Sequence, residues 1–297
     1  MFNMINQKII IGTWRWQLKN KSLHLNLLNN LKLFKINKID TALVYKDAQE
    51  ILSMYDFRKI FVISKIPAIV KPLLNTKKPF FKFYNEKYIE NKLDETLKSL
   101  KLKKLNLLLL HNWSYYWQED LLKVKNLIKK LKFENRIDYF GISLPDFYNK
   151  DINFLVENDL IDFVMMPFNI LNIWGIKKII YPIINSKKNI KIILRSIFLS
   201  GLLFKKEIIL YSEKNNKNNN DIYLFNKYPF ELIRLKIQKF LNNNYFDIND
   251  LNKIRKLFLE KNIDILKNKN IFLCLGVNNL NQLIENLNFL NDIYENN

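Results

Sequence analysis

Four polar side chains, Asp40, Tyr45, Lys65 and His111, lie at or just after the ends of apolar runs. A tyrosine hydroxyl has an ordinary pKa of ~10, so it is a poor acid at neutral pH unless its anion is stabilised. A nearby ammonium lowers that pKa, a carboxylate keeps the ammonium charged, and a histidine can orient a carbonyl oxygen. Together the four residues would suit proton donation, with Asp40 holding Lys65 and Lys65 lowering the pKa of Tyr45.

Each of these residues also has a simpler interpretation. Asp40 could cap a turn, Lys65 could lie at a sheet edge, and His111 could be a hydrogen-bonded core residue. A lysine that points inward from an apolar strand is costly unless it is paired. The proton-donating role therefore depends on a fold that brings the four side chains together.

Short apolar runs alternate with amphipathic stretches along the chain. Most of the runs are apolar on both alternating faces, which is typical of parallel strands covered by helices. Apolar residues recur at helical spacing in 86–101, 121–133 and 279–290. The predicted strands are 8–11, 38–40, 60–66, 105–111, 139–144, 162–168, 190–198 and 271–277.

Eight strand–helix units in fewer than 300 residues predict an α/β protein, a (β/α)8 TIM barrel that forms a single domain over residues 1–297. A doubly wound sheet would need a Gly-rich turn after the first strand, and this turn is missing. The Asn-rich stretch 205–230 predicts a flexible insertion after the seventh strand.

Glycine is rare in this chain, with five residues in 297. Such a chain should keep glycine mainly where the backbone needs a positive φ or a close approach. Gly12, Gly141, Gly201 and Gly276 each lie at or just beyond the end of a predicted strand. In a barrel of this kind the strand ends form the catalytic face.

The net charge of +20 raises the question of a nucleic-acid surface. Only six of the 48 basic residues are Arg, and Lys and Asn are abundant throughout, which favours a compositional bias instead.

One cysteine, Cys274, excludes an internal disulfide, and two histidines are too few for a zinc site. No signal peptide or membrane-length apolar run is present, so we expect a cytoplasmic protein without nucleic-acid or membrane partners.

The sequence resembles the aldo-keto reductases, whose successive motifs it matches in order over about residues 8–290. The resemblance implies a (β/α)8 barrel that binds NADPH, or NADH, and transfers hydride to an aldehyde or ketone. The matching stretches are "GTWRW" (12–16), "DTALVYKDAQE" (40–50), "VISK" (62–65), "LLLLHNW" (107–113), "NRIDYFGIS" (135–143), "RSIFLSGLL" (195–203) and "GVNNLNQLIEN" (276–286).

The resemblance assigns roles to individual residues. It makes Tyr45 the general acid, Lys65 and Asp40 its supporting pair, and His111 the residue that orients the carbonyl. Trp14 would form an aromatic wall of the substrate pocket. The implied cofactor contacts are Ser143 at the nicotinamide amide, Arg195, Ser196 and Gly201 after strand seven, and Gly276, Gln282, Glu285 and Asn286 at the adenosine end.

Several positions depart from the family pattern. Leu144 replaces the Asn that usually follows the serine, and Met165 replaces the Gln that fixes the carboxamide on strand six. Lys46 replaces the glycine after the catalytic tyrosine. Asn278 stands where a basic residue often grips the 2′-phosphate, which weakens the preference for NADPH over NADH. Each lost hydrogen bond to the nicotinamide would cost ~0.5–1.5 kcal/mol.

The aromatic stretch after His111 has two interpretations. Trp113 could stack on the substrate, or it could be buried at the start of a helix.

Two functions compete with the reductase hypothesis: a cofactor-binding or regulatory barrel that turns over little or no substrate, and a basic RNA-binding protein. We expect a small-molecule carbonyl substrate and, by family analogy, a monomer.

Overall fold

The computed structural model describes residues 5–186, 188–199, 201, 235–239 and 248–296. Within these residues, eight parallel strands close a barrel in sequence order, and the last strand pairs with the first. This confirms the predicted (β/α)8 TIM barrel, while the predicted insertion at 205–230 lies outside the described residues. The strands are β1 (Ile9–Gly12), β2 (Lys38–Asp40), β3 (Phe61–Ile66), β4 (Leu105–Leu110), β5 (Ile137–Ser143), β6 (Phe163–Pro167), β7 (Lys191–Arg195) and β8 (Ile271–Gly276).

Helices follow most of the strands and pack their apolar faces onto the outside of the barrel. Single 3₁₀ turns occur at Asn6–Lys8, Leu18–Asn20, Leu31–Phe34, Phe80–Lys82, Tyr115–Trp117 and Glu119–Leu122. The helices are α1 (Lys21–Asn30), α2 (Lys46–Leu52), α3 (Glu86–Leu100), α4 (Lys125–Phe133), α5 (Asn153–Glu157), α6 (Ile173–Gly175) continued by a π turn (Ile176–Ile180) and α7 (Tyr181–Asn185), α8 (Ile248–Glu260), α9 (Ile263–Lys267) and α10 (Leu280–Glu295).

Local sequence explains where these elements begin and end. The side chain of Asn85 accepts the N–H of Tyr88 and caps α3, and Lys101 ends the helix in a left-handed conformation. Strand β7 was predicted to reach residue 198 but ends at Arg195. The next residue, Ser196, has φ 56°, a left-handed conformation that no strand can continue through.

Side chains fill the barrel interior in layers. Near the amino-terminal ends of the strands, the rings of Phe61, Tyr139, Phe163 and Phe272 form a cluster with centroid separations of 5.4–6.4 Å. Above them, aliphatic residues and Met165 are fully buried. The polar residues at the carboxyl ends of the strands therefore stand on an apolar column.

The seam between β8 and β1 is fastened by side chains from the first strand–helix unit. The indole of Trp16 donates to the carbonyl of Val277 at 2.7 Å, and Nδ1 of His24 donates to the carbonyl of Asn278 at 2.9 Å. The N–H of Gln17 donates to Nε2 of His24 at 3.3 Å, so the ring is the neutral tautomer with its proton on Nδ1. Trp16 and His24 stack with centroids 4.7 Å apart.

No helix among the described residues is long and apolar enough to cross a membrane.

Gly141 and Gly276 form a matched pair for a packing test. A Cβ at Gly141 would overlap the carbonyl oxygen of Phe163, whereas a Cβ at Gly276 meets nothing within 4 Å. We expect Gly141→Ala to lower the free energy of unfolding by about 3 kcal/mol. Gly276→Ala should leave it nearly unchanged. Urea denaturation of both variants measures this, and equal effects would contradict the close strand approach at Gly141.

The hydrogen bonds of His24 predict a pH effect on stability. Burial lowers the pKa of His24, so folding favours its neutral form. The stabilisation from this residue is fully present above the ordinary histidine pKa of about 6.5 and is lost as the pH falls through the lowered value. His24→Phe keeps a ring against Trp16 but removes the titration. We expect the wild type to lose more thermal stability than this variant between about pH 7.5 and 5.5; parallel losses would contradict the assignment.

Candidate active site

A cavity of about 530 Å³ opens at the carboxyl ends of the strands. It brings together residues that are distant in the sequence, which is the arrangement the sequence predicted for this face of the barrel. Of the predicted site residues, those lining it are Trp14, Asp40, Tyr45, Lys65, His111, Ser143, Met165, Arg195, Ser196, Gly201, Gly276, Asn278, Gln282 and Asn286.

A buried ion pair forms the floor of the cavity. Nζ of Lys65 lies 2.6 Å from Oδ1 of Asp40 and donates a second hydrogen bond to the carbonyl of Thr41 at 2.8 Å. Burial opposes the charge on Lys65, but Asp40 and Tyr45 outweigh it and raise the pKa of Lys65 above its usual value. Burial raises the pKa of Asp40, and Lys65 opposes that rise. Lys65 is therefore a charged lysine in an apolar setting.

Tyr45 is the residue just before α2 and lies beside this pair. Its ring centroid is 5.1 Å from Nζ of Lys65. Burial raises the pKa of Tyr45, and the charge of Lys65 opposes the rise without cancelling it. The sequence predicted a net lowering, so the direction of the Lys65 effect is right but the desolvation of the phenolate exceeds it. The hydroxyl consequently stays protonated at neutral pH and can act as a donor.

A second ion pair and a thiol complete the floor. Nη1 of Arg195 donates to Oδ1 of Asp146 at 3.0 Å, and Nη2 donates to the carbonyl of Leu144 at 2.8 Å. Sγ of Cys274 lies 3.8 Å from Oδ2 of Asp40. Burial raises the pKa of the Cys274 thiol well above its usual value, so the thiol is neutral and donates to the carboxylate.

His111 follows the last residue of β4 and lines the cavity. The backbone N–H of His111 donates to the carbonyl of Ile66 at 3.0 Å, and the backbone carbonyl of His111 accepts from the hydroxyl of Tyr84. These two contacts fix the backbone from which the imidazole projects. Because β3 and β4 are neighbours in the barrel, they place His111 and Lys65 on adjoining strand ends.

The structure does not bring Trp113 or Glu285 to the cavity. Trp113 is buried and packs against Phe80 and Trp117, with ring centroids 6.2 and 5.8 Å away. The aromatic stretch after His111 thus forms packing under a neighbouring loop, so the stacking interpretation of Trp113 is wrong. Glu285 is exposed on α10 and does not line the cavity, unlike Gln282 and Asn286.

The adenosine-end segment predicted from the sequence is held by its own side chains. Oε1 of Gln282 accepts the N–H of Asn278 at 2.8 Å, and the side chain of Asn279 caps α10 by accepting the N–H of Gln282. His24 and Trp16 hold the same turn from the other side of the seam. A rigid turn with neutral polar side chains suits hydrogen bonding to a nucleotide.

Sequence reasoning missed several lining residues. Arg15, Lys71, Leu73 and Leu74 belong to loops, for which strand periodicity gives no signal. Cys274 was considered above only as a partner for a disulfide, yet its side chain faces the site. Its separation of two residues from Gly276 on β8 would have placed both on the interior face.

Comparison with known proteins identifies the family of the chain. The model of the aldo/keto reductase family matches residues 8–294. No curated protein sequence matches the chain.

Solved structures share the fold at low sequence identity. Aldo-keto reductase AKR11C1 from Bacillus halodurans is 16% identical with a TM-score of 0.66, covering 95% of this chain and 86% of its own. The glycerol dehydrogenase AKR11B4 from Gluconobacter oxydans is 16% identical with a TM-score of 0.61, covering 97% and 86%.

A Klebsiella pneumoniae aldo/keto reductase, solved with NADP and acetate, is 14% identical with a TM-score of 0.61, covering 95% of this chain and 85% of its own. The family match spans nearly the whole barrel, including every strand that contributes to the cavity. The chain belongs to the aldo/keto reductase family of NAD(P)H-dependent oxidoreductases.

Proposed function

We propose that the chain reduces an aldehyde or ketone with NADPH or NADH, and that Tyr45 is the general acid. One observation carries the proposal: the Lys65–Asp40 ion pair lies buried at the floor of a cavity, with the Tyr45 ring 5.1 Å from the ammonium. A charged pair in this setting is costly and weak evidence of stability alone. Beside the Tyr45 phenol in an open cavity, the ion pair suits proton donation, because the ammonium can stabilise the phenolate that remains.

The residues of the chain divide the chemistry among them. A bound reduced nicotinamide would supply the hydride for the carbonyl carbon. Tyr45 would donate its proton to the carbonyl oxygen as negative charge develops there, and Lys65 would stabilise the phenolate that remains. Asp40 keeps Lys65 charged and oriented, and Cys274 holds the other carboxylate oxygen. His111 would orient the carbonyl oxygen toward the phenol.

The cavity fits a dinucleotide cofactor in its chemistry. Ser143 and Ser196 provide hydroxyls on the lining of the β5 and β7 ends, and Gln282 and Asn286 provide amides on α10. Space is open above Gly276, and Gly201 has a φ of 89°, so the backbone can approach a phosphate closely at both places. Met165 belongs to the apolar interior and offers the nicotinamide a contact surface but no hydrogen bond.

The structural neighbours support the same cofactor and substrate class. Klebsiella pneumoniae aldo-keto reductase structures were solved with NADPH and with NADP and acetate, and a further neighbour is a glycerol dehydrogenase. The cytoplasmic location and monomeric state remain predictions.

Tyr45→Phe tests the general acid. Loss of the hydroxyl should lower kcat for an aldehyde by about 10²- to 10⁴-fold, because it removes the proposed proton donor. The Kd of the cofactor should change little, since the ring is kept. Steady-state kinetics and a fluorescence titration measure the two quantities.

A barrel that binds cofactor without efficient turnover gives a different result. Its weak background rate would not depend on the hydroxyl, so equal rates for the wild type and Tyr45→Phe would contradict the proposed role. Tyr139→Phe is a matched control, because that phenol belongs to the aromatic cluster at the opposite end of the barrel.

Asn278 predicts weak discrimination between the two nicotinamide cofactors. The adenosine-end segment 276–286 carries Glu285 and no basic residue, so it offers a 2′-phosphate no arginine guanidinium for a bidentate contact. We expect the Kd values of NADPH and NADH to lie within about tenfold. Asn278→Arg should tighten NADPH by about tenfold and leave NADH unchanged.

Asn278→Gln serves as the neutral control for that substitution. Titration of all three proteins with both cofactors measures the ratio directly. Strong NADPH preference in the wild type would place the phosphate against a cation outside this segment.

A further inference from the structure

The loop after β3 exposes an unusual group of apolar side chains. Ile69, Val70, Leu73 and Leu74 are all exposed, and Leu73 keeps 82% of its surface accessible. We refer to these four residues as the apolar lip. Several exposed apolar side chains in one loop mark a place that contacts another molecule.

The backbone of this loop is held in place, so the exposure does not come from a loosely packed segment. The hydroxyl of Ser114 donates to the carbonyl of Thr76 at 2.8 Å, and the indole of Trp117 donates to the carbonyl of Lys78 at 2.8 Å. The N–H of Ile69 donates to the carbonyl of Phe83 at 2.9 Å. The buried aromatic cluster after β4 therefore supports the loop that presents the apolar lip.

The apolar lip is continuous with the candidate active site. Leu73 and Leu74 line the same cavity as Tyr45 and His111. Val44 and Trp14, which are also exposed apolar residues, line the cavity from the neighbouring loops after β2 and β1. The loops after β1, β2 and β3 thus bring four exposed apolar side chains to the cavity mouth, beside the cationic Arg15 and Lys71.

The rest of the cavity is lined by the β5, β7 and β8 ends and by α10, which mix polar and apolar side chains. Ser143, Ser196, Asn278, Gln282 and Asn286 are the residues proposed for the cofactor. A dinucleotide held by these residues would leave the side chains of the β1, β2 and β3 loops for the substrate. Water would otherwise cover those leucine, valine and tryptophan side chains at a cost that grows with their area.

We propose that the substrate carries a hydrocarbon tail of about six or more carbons, which lies on the apolar lip while its carbonyl reaches Tyr45. The inference rests on the proposed function and names its substrate class. A small polyhydroxylated carbonyl compound would leave the lip uncovered and is the disfavoured alternative. Each methylene of the tail that is buried should tighten binding by two- to about fourfold.

Binding of straight-chain alcohols tests the tail without any turnover. The full chain is titrated with 1-butanol to 1-decanol, with and without NADPH, because an alcohol and a reduced cofactor cannot react with each other. Tryptophan fluorescence reports binding, since Trp14 lines the cavity mouth. We expect affinity to rise by two- to fourfold per methylene up to about eight carbons.

Leu73→Ser should flatten that series, and Leu33→Ser is the matched control. Leu33 is another exposed leucine, but it lies in the turn before β2 and does not line the cavity. Affinity that does not depend on chain length overturns the inference. So does a chain-length series that Leu73→Ser leaves unchanged, because the tail would then lie elsewhere.

A parallel series of aldehydes, from propanal to decanal, separates this inference from the proposed function. With NADPH as reductant, kcat/KM should rise with chain length in the wild type and less steeply in Leu73→Ser. Equal kcat/KM values for propanal and decanal would overturn the proposal of a hydrocarbon tail but would still support the reductase function. No turnover of any aldehyde, with the alcohol series intact, overturns the reductase and keeps the hydrocarbon site.

Discussion

A lysine and an aspartate buried side by side are the constraint around which this barrel is organised. Two charges can stay in an apolar interior only when their geometry is good and their remaining hydrogen bonds are made. The 2.6 Å contact between Lys65 and Asp40, the carbonyl of Thr41 and the thiol of Cys274 meet that condition. The apolar column beneath them keeps the pair from being solvated from below, and the single open direction is toward the cavity and Tyr45.

Some loops around the cavity are positioned by residues that do not face it. Trp117 supports the loop after β3, and Trp16 with His24 supports the turn after β8. These aromatic residues combine large packing areas with directed hydrogen bonds. Two residues that do line the cavity also hold loops, because Gln282 accepts the N–H of Asn278 and Arg195 donates to the carbonyl of Leu144.

The sequence predicted the strands well because each is an apolar run bounded by polar residues, and that pattern follows from burial on both faces. It also placed Asp40, Lys65 and His111, since inward polar residues at strand ends are rare. The burial of Trp113 and the exposure of the apolar lip could not be predicted from the sequence. Both depend on packing between loops about 40 residues apart, such as the contact of Lys78 with Trp117. The net pKa direction of Tyr45 depends on depth of burial, which strand patterns do not encode.

The seam between β1 and β8 has a consequence for biosynthesis. Of the eight strands, β1 leaves the ribosome first and β8 last, so an unfinished barrel holds two open strand edges that can pair with other chains. The hydrogen bonds from Trp16 and His24 to the turn after β8 form only when β8 pairs with β1, and only then is the segment 276–286 held in place. The cofactor contacts proposed for this segment are therefore assembled only at that step, so a nucleotide bound there would stabilise the closed barrel and not the unfinished one.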